Sequence, residues 1–298
     1  MRTTVSLVIL DGGMGRELQR IGAPFSQPLW SAQALIEAPE YVKQAHCNFI
    51  QAGADIITIN SYACVPFHLG AALYKQKGPE LAIQAAILAR EAVQNSEKKT
   101  ALIAGSLPPV LGSYRPDLFE PKIAFDVTEQ LYTAQDPYCE LWIAETVASI
   151  AELKIMLTFA AQSSKPFYIA FTLNDDVNAK TPTLRSGEQL SEAIEHLRET
   201  DVSGVLLNCS IPEVIGPALL MIKALRKHLT IGAYANNFIP IDENHKANST
   251  FQSLRSVSEQ AYLHHAQNWY EAGARIIGGC CGIGPSHIAE IAQWKEKL

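Results

Sequence analysis

Cys280 and Cys281 are adjacent, with Gly278 and Gly279 before them and Gly282 and Gly284 after. A third cysteine, Cys209, lies at the end of the apolar run GVLLNCS, Gly204–Ser210. Zinc accepts thiolate sulfur, and a catalytic zinc has three protein ligands and one open position. Glycines beside a ligand allow unusual backbone angles and close approach. The same cysteines also read as small buried hydrophobes, and the pattern alone leaves both readings open. Three thiolates around one Zn²⁺ leave the site net negative, so it is a weak Lewis acid, poorly suited to making hydroxide. Such a site is better suited to holding a fourth thiolate. A free thiol has a pKa of about 8.5 and is mostly protonated at pH 7; coordination deprotonates it. The expected chemistry is activation of a substrate thiol rather than of water.

Asp11 heads the Gly-rich turn Asp11-Gly12-Gly13-Met14-Gly15, which is expected to run into a short helix. Backbone N–H groups in such a turn hold anions, and a carboxylate beside them holds an ammonium. Together they suit an amino-acid zwitterion, and Glu145 is a second acid for the same ammonium. Taken singly, each acid reads more readily as a surface or helix-capping residue. The turn has no G-x-G-x-x-G frame and no following Lys-Ser/Thr, so it is no phosphate fingerprint. The histidines form no rival site. His46, His196, His228, His264 and His265 fall in predicted helices, His287 opens the last helix, and His68 and His245 are isolated. No H-x-H ends the first strand, which argues against a histidine-bound metal hydrolase. Of His264 and His265, one is expected to be solvated and one packed.

Eight short apolar runs would carry these residues: 6–11, 55–62, 101–107, 140–146, 166–173, 204–210, 230–237 and 275–281. Nearly continuous apolar runs suit parallel strands covered on both faces. Helical patterns lie between and after them, at 39–52, 80–94, 126–134, 149–161, 188–200, 212–228, 256–272 and 285–298. Eight strand–helix alternations predict an α/β fold, a single (β/α)8 TIM barrel over residues 1–298. The long polar stretch 238–254 reads as an insertion after strand 7. One internal echo sets the register: NFIQAGADIITIN (48–60) and NWYEAGARIIGGC (268–280) share a frame, aligning Asn60 with Cys280. Barrel sites form at the carboxyl ends of strands. Those ends carry Asp11, Asn60, Ser106, Glu145, Asn174, Asn208 with Cys209, Asn236 with Asn237, and Cys280 with Cys281.

The 298 residues are 48% hydrophobic and 18% charged, with 24 Lys and Arg against 30 Asp and Glu, a net charge of −6. That balance, without a basic run, disfavours nucleic acid and anionic membranes as partners. No uncharged apolar stretch of about 18 residues suggests a membrane span. The start lacks the pattern of a secretory signal, so a cytoplasmic location is expected. Six cysteines are too few here for a disulfide scaffold.

The segments DGGMGREL, PLWSAQALIEAPEYVKQAHCNFIQAGADIITINSY, AGSLPP, LWIAET, LLNCS and GGCCGIGPSHI span almost the entire chain. In that order they resemble the homocysteine S-methyltransferases. The resemblance implies a zinc-dependent barrel that transfers a methyl group to the homocysteine thiol, giving methionine. By position, Cys209, Cys280 and Cys281 match the zinc cysteines, and Asp11 and Glu145 the acids that hold the homocysteine amino group. Gly12 and Gly13 match the turn whose amides face its carboxylate, and Asn60 and Asn208 lie in matching motifs. This chain departs from the family after strand 3 (Gly105-Ser106-Leu107-Pro108-Pro109), after strand 7 (Tyr234-Ala235-Asn236) and after the doublet (Ile283-Gly284). These loops cover the barrel mouth and bear on the methyl donor. The chain lacks the added modules of cobalamin-dependent and betaine-using relatives, so a small sulfonium, S-methylmethionine or S-adenosylmethionine, is the expected donor. A net negative site attracts such a cation. Alternative readings are a methyltransferase for another small thiol or selenol, or a homocysteine-binding subunit served by a separate methyl carrier.

Overall fold

The computed structural model describes residues 6–97, 100–241 and 253–298. In chain order the elements are β1 (Val8–Ile9), α1 (Met14–Arg20), α2 (Ser31–Glu37), α3 (Pro39–Gln51), β2 (Ile56–Thr58) and α4 (Pro66–Asn95). Next come β3 (Leu102–Leu107), α5 (Pro121–Gln135), β4 (Leu141–Val147), α6 (Ile150–Ala160), β5 (Phe167–Phe171) and α7 (Leu190–Glu195). The chain closes with β6 (Gly204–Asn208), α8 (Pro212–Leu225), β7 (Thr230–Tyr234), α9 (Glu259–Ala272), β8 (Ile276–Ile277) and α10 (Pro285–Lys295). All strand pairs are parallel, in the order β1-β8-β7-β6-β5-β4-β3-β2. A bridge between Leu10 and Ile56 completes the ring. The architecture is the expected (β/α)8 barrel.

Alternation along the strands separates two cores. Leu10, Ile56, Ala104, Leu141, Ile143, Ala170, Leu206, Tyr234 and Ile276 fill the barrel. Their neighbours Ile9, Ile57, Ile103, Trp142, Ile169, Val205, Leu207, Ile231 and Ile277 face the helices. The 220-residue echo holds: Ile56 and Ile276 begin β2 and β8, and Gly53 and Gly273 before them both take left-handed φ angles.

Several boundaries differ from the sequence reading. Except for β3 and β4, the ladder strands end before the apolar runs do, because the last residues of those runs leave the sheet as mouth loops. Cys280 lies beyond β8, although its N–H still donates to the Ala235 carbonyl as the ladder would continue. The pattern at 80–94 is the second half of α4, which starts at Pro66 and kinks at Gly70. α7 stops at Glu195, five residues early. α2 was not expected; its N-cap is Trp30, whose φ is 48°. Of the stretch 238–254, residues 242–252, with His245, read as isolated, lie outside the described residues. Its two ends pair through an antiparallel bridge between Phe238 and Leu254. Among the described residues, no helix is long and apolar enough to cross a membrane.

His46 on α3 is fully buried, and neither ring nitrogen has a hydrogen-bond partner among the described residues. Burial pushes its pKa down to about 3. The folded state thus refuses a proton that the unfolded chain takes near pH 6.5, so stability present above that pH is lost as pH falls toward 3. The expected loss between pH 7 and 5 from this group is about 2 kcal/mol. Urea unfolding of the wild type and His46→Leu at both pH values checks it: the variant should lose less stability than the wild type by that amount.

Candidate active site

The mouth of the barrel holds a cavity of about 220 Å³, and Asp11, Asn60, Glu145, Cys209, Cys280 and Cys281 all line it. The residues come from the ends of β1, β2, β4, β6 and β8, as the strand-end reading required.

The acids are deeply placed. Asp11 is buried; it accepts the Thr58 backbone N–H at 2.7 Å and the Thr58 hydroxyl at 3.1 Å. Burial raises its pKa to about 8, and the nearby Glu145 adds to the rise. Glu145 accepts the Ser106 hydroxyl at 2.5 Å and the Tyr234 hydroxyl at 3.4 Å. Burial raises its pKa to about 7. Two desolvated carboxyl groups that face one cavity and resist ionisation are set to receive a cation, which restores the charge that burial disfavours. Glu145 precedes Thr146, a residue with φ 57° where the β4–β5 register shifts. Such a bulge re-aims side chains beside a site.

The thiols converge. Cys209 Sγ is 2.8 Å from Cys280 Sγ, and Cys280 also hydrogen-bonds Cys281. That second bond holds the Cys281 thiol below its ordinary pKa. Thr146 Oγ1 and Asn208 Nδ2 both donate to Cys209 Sγ, at 3.4 and 3.5 Å. Three soft donors at one buried point, with no imidazole among them, fit a thiophilic ion such as zinc. As they stand, no three Cys, His, Asp or Glu side chains among the described residues form a metal-holding group. Cys209 and Cys280 stand 2.8 Å apart, so the pair would have to open to hold an ion between their sulfurs.

Two expectations need correction. Asn208 does not reach the cavity. It is fully buried behind Cys209, where Oδ1 accepts the Thr146 N–H at 3.1 Å and Nδ2 donates to Thr146 Oγ1 at 3.0 Å. It shares the inward phase of Leu206 but spends its amide on Thr146, and so supports the thiol rather than reaching the cavity. Gly13 lines the cavity, but its amide donates to the Ile283 carbonyl at 2.8 Å and so is engaged within the protein. Glycine is needed there for close approach: a Cβ would lie 2.6 Å from the Cys280 carbonyl oxygen. Gly12 also lines the cavity. Asn60 donates to the Ser31 carbonyl at 3.4 Å, which ties the start of α2 to the mouth.

The sequence reading missed an aromatic wall. Phe25, Trp30, Tyr62, His68, Tyr114 and Phe238 line the same cavity from loops and loop–helix junctions. Burial lowers the pKa of His68 to about 4, so its ring is neutral at pH 7. The available signal was aromatic residues lying outside the strand and helix patterns, as all of these but Tyr62 do. The remaining cysteines, Cys47, Cys64 and Cys139, are free, half-buried or buried, and lie off the cavity. His264 is exposed and His265 stacks on Trp269 at 6.0 Å.

Eight parallel strands around a filled core, with polar residues gathered at the carboxyl-end mouth, define a (β/α)8-barrel enzyme. Residues 8–294 match the family model described as homocysteine S-methyltransferase. The chain belongs to that family and is a methyltransferase. It is 28% identical to homocysteine S-methyltransferase YbgG of Bacillus subtilis, covering 99% of this chain and 96% of the relative. It is 26% identical to a selenocysteine methyltransferase of Astragalus bisulcatus, covering 95% and 90%. The metallated form of the homocysteine methyltransferase MmuM from Escherichia coli has a similar structure. The TM-score is 0.80 at 26% identity, covering 98% of this chain and 97% of that one.

Proposed function

We propose that this enzyme transfers a methyl group from a small sulfonium, S-methylmethionine or S-adenosylmethionine, to the thiol of homocysteine, giving methionine. The observation that carries the reading is the meeting, in one cavity, of three thiols with two buried acids. Cys209, Cys280 and Cys281 would hold zinc. When bound, the ion lets the substrate thiol lose its proton at neutral pH and stay nucleophilic. Asp11 and Glu145 receive the homocysteine ammonium, and their ionisation is completed by that contact. Their anchoring fixes the substrate sulfur toward the cysteines, which turns a bimolecular encounter into an oriented one. Trp30, Phe25, Tyr62 and Tyr114 exclude water and offer ring faces to a cationic sulfonium. In the transfer one S–C bond breaks and another forms. The donor leaves as a neutral thioether, so no general acid is required.

The selenocysteine methyltransferase relative supports a second acceptor class, a small selenol. Incubating the zinc-loaded protein with homocysteine and each sulfonium in turn, and measuring methionine, tests the proposal. Selenocysteine as acceptor runs in parallel. Methionine formed with a sulfonium is the expected result. No product with either sulfonium overturns the proposed donor. Activity appearing only on adding a separate methyl carrier assigns the protein as a homocysteine-binding subunit instead.

A further inference from the structure

Cys209 has φ 49°, a left-handed conformation that is strained for a residue with a Cβ and persists only where surroundings impose it. Its carbonyl oxygen collects three donors. Thr172 Oγ1 is at 3.2 Å, Tyr114 OH at 3.3 Å and Arg185 Nη2 at 3.4 Å. The same Arg185 nitrogen pairs with Asp175 Oδ2 at 2.8 Å, and the two side chains are only 7% and 1% exposed. Asp175 reaches past the cysteine to accept the Ile211 N–H at 3.0 Å, and accepts the Ile241 N–H at 2.9 Å. The Arg185 guanidinium lies over the Tyr114 ring, 4.9 Å from its centroid. One buried ion pair therefore ties together the loops that follow β3, β5, β6 and β7.

Stability alone is a poor reason for this arrangement, since well-packed apolar residues commonly replace a buried ion pair without loss. A pair that joins four mouth loops around the Cys209 turn and donates to its carbonyl is better explained by geometry. The side-chain face of Cys209 is held by Thr146 and Asn208, and the opposite, carbonyl face by Arg185 and Tyr114. The geometry points to Arg185 and Asp175 as positioning residues that fix the left-handed peptide at Cys209 and aim its sulfur at Cys280. This inference rests on the reading of Cys209 as a metal thiolate. It adds residues that lie outside the cavity and touch no substrate.

Cobalt(II) serves as the probe, because its thiolate charge-transfer and d–d bands report ligand number and geometry independently of turnover. Metal-free wild type, Arg185→Met, Arg185→Lys and Tyr114→Phe are titrated with cobalt(II) and then competed with a chelator. Thermal unfolding of each metal-free form runs alongside. Arg185→Met is expected to lose roughly 10- to 100-fold in cobalt affinity, as loss of supporting partners does at metal sites, with shifted d–d bands. Arg185→Lys should recover part of both. Tyr114→Phe keeps the ring under Arg185 and removes one donor; it should lose affinity severalfold with unchanged unfolding, and it carries the test if Arg185→Met does not fold. Wild-type affinity and spectrum in Arg185→Met, or in Tyr114→Phe where that variant carries the test, overturns the positioning role alone. A wild type without thiolate-to-cobalt bands overturns the metal reading beneath it.

Discussion

Cys280→Ser is expected to abolish stoichiometric zinc and to lower methyl transfer to homocysteine by more than the roughly 10- to 100-fold that losing a supporting partner costs a metal site. Cys280 is the central thiol: it lies 2.8 Å from Cys209 and hydrogen-bonds Cys281. Its backbone is fixed without the sulfur, by N–H donation to Ala235 and by the Ile283 N–H bonding its carbonyl. Serine fits the same space, so the change is chemical rather than structural. A serine hydroxyl stays protonated at neutral pH and is a hard, weak ligand for zinc. Metal content per chain and methionine formation should fall together while the unfolding temperature of the metal-free protein stays near wild type. A variant with full zinc and full turnover would refute the metal assignment.

Asp11→Asn separates binding from folding in the opposite direction. Without the carboxylate, the substrate ammonium loses a buried charged partner, a loss worth about 2 kcal/mol or more, so kcat/KM for homocysteine should fall at least roughly thirtyfold. The effect should appear in KM for homocysteine and not in KM for the donor. The same change should stabilise the protein at alkaline pH. With a folded pKa of about 8, against an ordinary 3.8, the folded state keeps a proton that the unfolded chain releases. Wild-type stability from this group therefore falls as pH rises from about 4 to 8, and asparagine removes that slope. The gain at pH 8 is on the order of a few kcal/mol. Asparagine still accepts the Thr58 N–H. Glu145→Gln should weaken homocysteine binding in the same sense. The double variant should cost less than the two singles added, because both acids serve one ammonium. Steady-state kinetics with each substrate varied, and urea unfolding at pH 5 and 8, give the answers. An unchanged KM for homocysteine in Asp11→Asn rules out the anchoring role.

The strands and the residues at their ends were legible because a parallel strand buried on both faces writes itself as a continuous apolar run. Its carboxyl end must face the barrel mouth. That logic located Asp11, Asn60, Glu145, Cys209, Cys280 and Cys281. It failed for Asn208, which has the inward phase of Leu206 but whose amide is engaged by Thr146, a contact between strands that local pattern does not record. It also failed for α2 and the early half of α4, where Trp30 and Gly70 take backbone angles that no periodicity records.

By itself the sequence determined the barrel, the acidic and thiol groups at its mouth, and the family resemblance, since all of these follow from local pattern and order along the chain. Only the tertiary structure decided which groups face one another. The Cys209–Cys280 contact spans 71 residues, and the aromatic wall comes from loops widely separated along the chain. The buried Asp175–Arg185 pair braces a strained peptide reached only through folding. Local pattern fixes which atoms are available; closure of the ring fixes their distances, and with them the raised pKa values of the two acids.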